Sequence, residues 1–171
     1  MGEPAKHRYL IALGSNRRDR RKRKPVAVLS AAIAEIERTC RVLAVSPIVE
    51  TVPLGPSRRR FANAAALLRS ERNPPRMLAE LKRIERAFGR RPGRRWGERV
   101  LDLDIVLWSG GRFESLGLDI PHPAFRQRAF VIEPAAAIAP AWRDPVTGRT
   151  LRQLAQRRAA PKPLDRRRHP L

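Results

Sequence analysis

The chain has 171 residues, of which 42% are hydrophobic, and its 37 lysines and arginines against 16 acidic residues give a formal net charge of +21. That length fits one domain with its own core, and the hydrophobic content excludes a wholly disordered chain. The single cysteine, Cys40, excludes a disulfide framework within the chain and a cysteine-based zinc cluster. We expect one domain over residues 1–160 and a basic, flexible tail over residues 161–171.

The apolar run nearest the N-terminus, residues 9–13, is too short for a signal segment or a membrane span. We therefore expect a soluble protein in the cytoplasm, monomeric and without a membrane partner. The positive charge has two explanations that the sequence leaves open. It reflects either the arginine-rich composition of a GC-rich genome or a field that attracts polyanions, in which case nonspecific polyanion binding is expected.

Strand and helix patterns alternate through the first part of the chain. β-prone residues at 8–13 predict a strand that ends in the turn at 14–16. The run RRDRRKRK at 17–24 predicts a solvated loop or a flexible arm. Apolar residues at helical spacing predict a helix over 25–38, and the β-branched run 41–49 predicts a second strand.

The second part of the chain repeats this alternation after a loop at 51–60. Apolar residues 61–68 predict a third strand, and a helix begins near 73–75 and ends at Gly89. A basic loop then leads to a fourth strand over 101–108. Beyond it the sequence predicts an irregular stretch up to residue 123, a helix near residues 125–132 and a last helix from about residue 150.

The order βαββαβ predicts an α+β, ferredoxin-like fold with a C-terminal extension. In that fold the strands form an antiparallel sheet and both helices pack on one face. Alternation along the fourth strand then places one set of side chains under the helices: Leu101, Leu103, Ile105 and Leu107. The other set projects from the open face: Asp102, Asp104, Val106 and Trp108.

Two aspartates within so apolar a strand call for an explanation, because aspartate is depleted in strands. Ordinary polar alternation on a solvated strand is one. A metal site is the other, since side chains two residues apart on a strand converge on one cation. Arginines just upstream, among them Arg90 and Arg99, favour Mg²⁺ held jointly by carboxylates and substrate phosphates. No Gly-x-x-x-x-Gly-Lys-Ser/Thr loop is present, so the chain is not a P-loop enzyme.

Six segments, in order, resemble one known family. They are ALGSN at 12–16, TVPLGP at 51–56, FANA at 61–64, RWGERVLDLDI at 95–105, IPHP at 120–123 and RAF at 128–130. The family is 6-hydroxymethyl-7,8-dihydropterin pyrophosphokinase of folate biosynthesis. The resemblance implies transfer of diphosphate from ATP to the hydroxymethyl group of the dihydropterin, with release of AMP.

The resemblance also implies roles for individual residues. Asp102 and Asp104 would bind two Mg²⁺ ions and, with Arg90 and Arg99, would form the catalytic set. The residues implied to contact ATP are Glu85, Arg90, Arg99, His122 and Arg128. The residues implied to form the pterin pocket are Thr51, Val52, Leu54, Phe61, Asn63, Trp96 and Phe130. Glu98 departs from the family's usual proline and places an acid beside the expected phosphate site.

A different class of protein is also compatible with the charge, namely an RNA-binding module on a ferredoxin-like sheet. Against it, the RNP1 pattern of exposed aromatic residues is absent and two acids would lie on the binding face. Single site residues also have plainer interpretations: Phe61 and Phe130 as core, His122 as an exposed loop residue, Glu85 as a solvated helix position and Trp96 as a cover for the sheet.

Overall fold

The computed structural model of the chain describes residues 6–51, 61–89 and 100–159. Its main sheet is antiparallel, with the strand order β2-β4-β1-β5 and with β3 paired to β4 beyond the end of β2. The strands are β1 (His7–Ser15), β2 (Arg41–Val45), β3 (Val49–Thr51), β4 (Phe61–Ser70) and β5 (Asp102–Trp108). This order is the one expected for a ferredoxin-like sheet, so the predicted fold is confirmed.

Two helices cover one face of the sheet, as the sequence predicted. They are α1 (Pro25–Glu37) and α2 (Pro74–Ala87), and each begins with a proline, which suits the first helical turn. Asn73 caps α2, since its side chain accepts a hydrogen bond from the Arg76 backbone N–H at 3.1 Å. Between helices and sheet lies a core that includes Tyr9, Leu13, Leu29, Ile36, Leu81, Ile84 and Leu103, each at most 2% exposed.

The predicted second strand, 41–49, is divided into β2 and β3. Ser46 and Pro47 separate the two, and a proline cannot donate to a strand ladder. Ser46 replaces the missing pairing, because its backbone N–H donates to the Ala65 carbonyl and its hydroxyl accepts from the Ala65 N–H, both at 2.9 Å. The break turns β3 onto the end of β4 that carries Phe61 and Asn63.

The predicted alternation along β5 is correct up to Val106 and wrong at Leu107 and Trp108. The pairing of β1 with β5 shifts register between Leu10 and Ile11, so Ile11 faces Ile105 while Leu10 faces Leu107. The extra residue, Val106, makes a β-bulge that exchanges the two faces. Leu107 therefore leaves the core beneath α1 and α2, and Trp108 packs against that core instead.

The helices of the C-terminal extension pack on the second face of the sheet, which we call the site face. A hairpin, β6 (Phe113–Ser115) and β7 (Leu118–Ile120), occupies part of the predicted irregular stretch. A 3-10 turn at Phe125–Gln127 precedes α3 (Ala129–Ile138), so the predicted helix at 125–132 begins later and runs further. The last helix, α4 (Leu151–Ala159), begins where the sequence predicted. A second core joins the 3-10 turn, α3 and α4 to the site face, whereas Leu118 and Ile120 of the hairpin belong to the core beneath α1 and α2. The second core contains Leu10, Ala65, Val106, Leu107, Phe125, Ile132 and Leu151.

The basic loop, residues 17–24, has most of its side chains exposed, as predicted for a solvated loop, but it also packs locally, which the sequence did not predict. Asp19 is 8% exposed, and its carboxylate accepts from the Arg23 backbone N–H at 2.9 Å and from Arg23 Nε at 2.7 Å. The Arg23 guanidinium lies over the Phe88 ring, 5.2 Å from its centroid. One buried acid therefore neutralises Arg23 and anchors the loop. None of the helices in the described ranges is long and apolar enough to cross a membrane.

Candidate active site

A row of three residues runs straight across the site face. Asn63 on β4 pairs with Gly14 on β1, and Gly14 pairs with Asp102 on β5. Directly paired residues in an antiparallel sheet project to the same face, so Asn63 and Asp102 face the same space with a glycine between them. A Cβ atom built on Gly14 would lie 3.6 Å from Asn63 Oδ1. The glycine therefore leaves an open floor between the amide and the carboxylate.

The end of the site face that carries this row is left uncovered by the C-terminal helices. The second core, which joins these helices to the sheet, contacts the sheet at Leu10 and Ala65 and ends at Ala12. Ala12 lies two residues before Gly14 on β1 and faces the same side of the sheet. Asp104 pairs with Ala12 at that boundary, and its side chain is 33% exposed. Strand alternation and the end of the second core together place both predicted metal ligands in one partly exposed recess.

His122 lies beside Asp104. Its backbone N–H donates to the Val106 carbonyl at 3.1 Å, which fastens the segment after the cis Ile120–Pro121 bond to β5. The ring nitrogen Nδ1 accepts from the Ala124 N–H at 3.2 Å, so a neutral imidazole carries its proton on Nε2. That Nε2 lies 4.0 Å from Asp104 Oδ2. The imidazole thus presents a donor toward the carboxylate region without a direct hydrogen bond.

The polar centre of the predicted pterin pocket is Asn63, which is 6% exposed. Its Nδ2 donates to Thr51 Oγ1 at 3.2 Å, and Thr51 pairs with Phe61 at the end of the sheet. Phe61 is half-buried, and it stands on the site face because it lies two residues before Asn63. Three of the predicted pocket residues are therefore neighbours, and the plain interpretation of Phe61 as core does not describe it.

Two further predicted residues stand at the start of α3. The Arg128 guanidinium lies 5.9 Å from the centroid of the Phe130 ring, and Phe130 is 44% exposed. The 3-10 turn connects them to His122, so the predicted nucleotide contacts His122 and Arg128 belong to one continuous segment. An exposed aromatic ring beside a cation is available to a ligand, and Phe130 is not a core residue here.

Glu85 is fully buried on α2, which rules out a solvated helix position. Its Oε1 accepts from Lys82 Nζ and from the backbone N–H of Leu103, both at 2.8 Å. Leu103 separates Asp102 from Asp104 on the outermost strand of the sheet. The carboxylate therefore holds the strand that carries the two aspartates. The remaining predicted site residues lie outside the described residues: Val52, Leu54, Arg90, Trp96 and Arg99.

The donor set on the site face fits Mg²⁺ rather than a transition metal. Within residues 6–51, 61–89 and 100–159, no three His, Cys, Asp or Glu side chains come together as a metal-binding cluster. A site built from two carboxylates leaves most positions of an octahedral cation to water or to substrate oxygens, which is how Mg²⁺ is usually held beside phosphates. Asp102 and Asp104, on one face and two residues apart, supply such a pair.

Gly14 is the feature of the site that the assignment of individual roles missed. Its signal in the sequence is its place directly after the apolar run 9–13, and the structure continues β1 through it to Ser15, so the turn predicted at 14–16 begins later. A glycine in a strand marks a close approach or an open space, and here it marks the floor between the two halves of the site. This role depends on the residues that pair with Gly14 across the sheet, and those residues cannot be predicted from one segment of the sequence.

Fold and site together define a class: a small α+β protein whose sheet face carries an amide and an aromatic ring beside a pair of carboxylates. The sequence profile of the 7,8-dihydro-6-hydroxymethylpterin-pyrophosphokinase (HPPK) family matches residues 10–140. The chain is 38% identical over 130 residues to a 2-amino-4-hydroxy-6-hydroxymethyldihydropteridine pyrophosphokinase of Synechocystis, covering 75% of this chain and 67% of that protein. It is 39% identical over 150 residues to the Pseudomonas aeruginosa protein of the same name, covering 86% and 89%.

Solved structures agree on the fold. The wild-type HPPK-DHPS of Plasmodium falciparum with pteroate superposes with a TM-score of 0.72 at 13% sequence identity, covering 92% of this chain and 45% of that longer chain. The chain thus spans just under half of that protein. The chain belongs to the HPPK family. The comparisons give no support to an RNA-binding module.

Proposed function

We propose that the chain transfers diphosphate from ATP to the hydroxymethyl group of 6-hydroxymethyl-7,8-dihydropterin, giving the pterin diphosphate and AMP in folate biosynthesis. The observation that carries this proposal is the row Asn63–Gly14–Asp102 on the site face. Two strand spacings separate its ends by about 10 Å. A flat heterocycle on the amide side can therefore extend a short arm over Gly14 toward the carboxylates.

The pterin half would be formed by Thr51, Phe61 and Asn63, with Val52, Leu54, Trp96 and Phe130 as further members. An amide offers both a donor and an acceptor to the edge of a heterocycle, and an aromatic face stacks on its plane. Asn63 is held by Thr51, so its orientation is set before the substrate arrives. A preset amide selects a ring whose donors and acceptors match it.

Asp102 and Asp104 would hold the metal, which we propose to be two Mg²⁺ ions. When bound, the ions neutralise charge on the ATP phosphates and hold the phosphate chain in line for transfer. The two aspartates are placed for this by their common face, and the half-exposed Asp104 carboxylate leaves room for substrate oxygens. Glu85 contributes to the same half through its hydrogen bond to Leu103.

His122 and Arg128 would contact the nucleotide, with Arg90 and Arg99 as cationic partners of the phosphates. Transfer of a diphosphate with release of AMP requires the hydroxymethyl oxygen to form a bond to the β-phosphorus while the bond from that phosphorus to the α–β bridging oxygen breaks. Arginine forks stabilise the charge that moves onto the departing AMP. The hydroxyl proton leaves to water, and positioning does most of the catalytic work.

The product distinguishes this reaction from ordinary kinase chemistry. The protein is incubated with ATP, Mg²⁺ and 6-hydroxymethyl-7,8-dihydropterin, and nucleotides are followed by ³¹P NMR. We expect AMP and pterin diphosphate in equal amounts, and no AMP when the pterin is omitted. Formation of ADP, or no turnover, would refute the proposal. A Glu114→Gln variant, on the exposed hairpin, serves as a control with normal turnover.

Three further expectations accompany the proposal. The chain acts as a monomer, it works in the cytoplasm, and its exposed bases retain polyanions nonspecifically. The third has structural support, because the basic loop is folded around Asp19 with most of its bases exposed. Retention on heparin that falls steeply with salt in the wild type, and less steeply after charge reversal in the loop, is the expected result.

A further inference from the structure

A bidentate ion pair outside the site joins Arg126 to Asp144. Arg126 Nε donates to Asp144 Oδ2 at 2.7 Å and Arg126 Nη2 donates to Oδ1 at 2.6 Å, which is a bidentate fork. The same carboxylate accepts from Thr147 Oγ1 at 2.6 Å and from the Val146 N–H at 3.1 Å. Asp144 is 0% exposed and the Arg126 side chain 26%.

Asp144 belongs to a turn that is itself firmly attached. Its backbone N–H donates to the Arg149 carbonyl at 2.9 Å and its carbonyl accepts from the Gly148 N–H at 2.8 Å. The flanking Leu151 N–H donates to the Trp142 carbonyl at 2.9 Å, and Leu151 is buried in the second core. The pair therefore ties Arg126 to a fixed part of the C-terminal extension.

Arg126 lies between the two proposed nucleotide contacts, two residues before Arg128. The Phe125 N–H donates to the His122 carbonyl at 3.1 Å, and the Arg128 N–H donates to the Phe125 carbonyl at 3.3 Å. The segment from His122 to Arg128 is thus joined internally by short-range hydrogen bonds. Its own contact with β5 is the single hydrogen bond from His122 to Val106 among the backbone bonds of the described residues. The far end is held by burial of Phe125 in the second core and by the hydrogen bond from Arg158 to the Gln127 carbonyl, and the guanidinium of Arg126 adds an attachment to the turn at Asp144.

We infer that Arg126 and Asp144 form a positioning pair that holds His122 and Arg128 at the spacing needed to bind ATP. The inference rests on the proposed function, because it takes those two residues as nucleotide contacts. The pair itself touches no substrate. Its expected signature is a loss of ATP affinity while the pterin half, built on β3 and β4, is unchanged.

A purely structural ion pair would behave differently. Arg83 on α2 forms such structural ion pairs, with Glu80 at 2.9 Å and with Glu35 at 3.2 Å, on the helix side of the sheet. Its loss lowers stability without touching either half of the site. Arg83→Met is therefore the matched control for Arg126→Met, since both remove one guanidinium that joins two segments.

The test measures kcat and both KM values for Arg126→Met, Arg126→Lys, Asp144→Asn and Arg83→Met, each below its own melting temperature. Binding of α,β-methylene-ATP is measured by calorimetry. We expect Arg126→Met to raise the KM for ATP and the dissociation constant of the analogue about tenfold, with the pterin KM unchanged. Lysine at 126 keeps the charge but not the fork, so it should restore part of the affinity. Arg83→Met should change neither KM.

Three results would overturn the inference. One is an unchanged ATP affinity in every folded variant of the pair, and another is an equal rise of both KM values. If Arg126→Met does not fold, the first two measurements are made on Arg126→Lys and Asp144→Asn. The third comes from His122→Ala, measured in parallel: if it leaves ATP binding unchanged, the nucleotide assignment fails as well. If His122→Ala weakens ATP binding and the pair variants do not, only the positioning role is lost.

Discussion

The recess on β5 and the turn at residues 144–148 both centre on aspartates, yet they treat the carboxylate in opposite ways. Asp144 is fully buried and accepts four hydrogen bonds, two of them from one guanidinium. Asp104 is 33% exposed, and the one ion pair that it makes within the described part of the chain is with His122 at 4.0 Å. The protein fills the hydrogen-bonding positions of the Asp144 carboxylate, whereas the Asp104 carboxylate still has room for a ligand.

The comparison separates structural from functional acids in a chain where bases outnumber acids by more than two to one. Buried Asp19 and Glu85 resemble Asp144, since each is bonded to a neighbouring base and to a backbone N–H. A buried charge must be paired and hydrogen-bonded, so these acids are committed to the fold. Asp104, whose side chain is one-third exposed, is not bonded in this way. A metal ligand that shares its cation with a substrate needs such an accessible carboxylate.

The largest expected effect is on turnover in the recess. Separate Asp102→Ala and Asp104→Ala variants should each lower kcat/KM by about 10³-fold or more, because each removes charge that the metal site depends on. Their melting temperatures should stay close to that of the wild type, since the Asp104 carboxylate is partly solvated. AMP formation and thermal melts check both statements. A folded variant with near-normal turnover would contradict the metal assignment.

Removal of the Asp144 carboxylate should give the reverse pattern, with its main effect on stability. Asp144→Ala leaves Arg126 without its partner and removes both anchors of the turn, so we expect the free energy of unfolding to fall by about 3 kcal/mol. That value is at the low end for broken buried pairs because the Arg126 side chain is 26% exposed. Urea unfolding measures it. A loss no larger than that of an exposed pair, such as Arg112 with Glu114, would show that the turn does not depend on the pair.

The floor of the recess should matter for the pterin and not for stability. Gly14→Val places two methyl groups beyond a Cβ that already lies 3.6 Å from Asn63 Oδ1, so we expect the pterin KM to rise about tenfold. Gly14→Ala adds only the Cβ, at ordinary contact distance, and should have a smaller effect. Steady-state kinetics with the pterin varied compares the two. An equal response to valine and alanine would mean that the floor is not a binding surface.

The smallest expected effect is an acid-dependent loss of stability. Burial alone would raise the pKa of Asp144, but hydrogen bonds from Arg126, Thr147 and Val146 and the charge of Arg126 lower it from 3.8 to about 2. A carboxyl whose folded pKa is depressed stabilises the fold above its unfolded pKa, and that stability is lost as the pH falls from about 4 to about 2. The loss amounts to about 2 kcal/mol. Urea unfolding across this range should show it in the wild type and not in Asp144→Asn. Equal slopes in both proteins would assign the acid sensitivity elsewhere.

Periodicity was sufficient to predict most of the fold. The apolar stripes of α1 and α2 and the apolar strands gave βαββαβ because those patterns depend only on residues near in sequence. The bulge at Val106 could not be predicted in this way, since it is a property of the pairing with β1, and it reversed the predicted faces of Leu107 and Trp108. The packing within the basic loop could not be predicted for the same reason: it depends on Asp19 and on Phe88, which directly follows α2.

The site divides along the same line. Asp102 and Asp104 were found from alternation, while the roles of Thr51, Phe61, Asn63, His122, Arg128 and Phe130 came from the resemblance and stay proposals. What sequence could not give is the contact across strands: Gly14 between Asn63 and Asp102, and Asp144 bonded to Arg126 over 18 residues. Such contacts depend on register and on turns, which a single sequence specifies only weakly.

The most direct test of the difference between the two kinds of carboxylate is Mn²⁺ binding followed by electron paramagnetic resonance in the presence of α,β-methylene-ATP. We expect the wild type to bind two Mn²⁺ ions, as in two-metal sites, and the double variant Asp102→Asn with Asp104→Asn to bind neither tightly. Asp144→Asn, assayed as a folded protein at saturating nucleotide, should retain both ions. Unchanged Mn²⁺ binding in the double variant would contradict the assignment of the recess on β5 as the metal site.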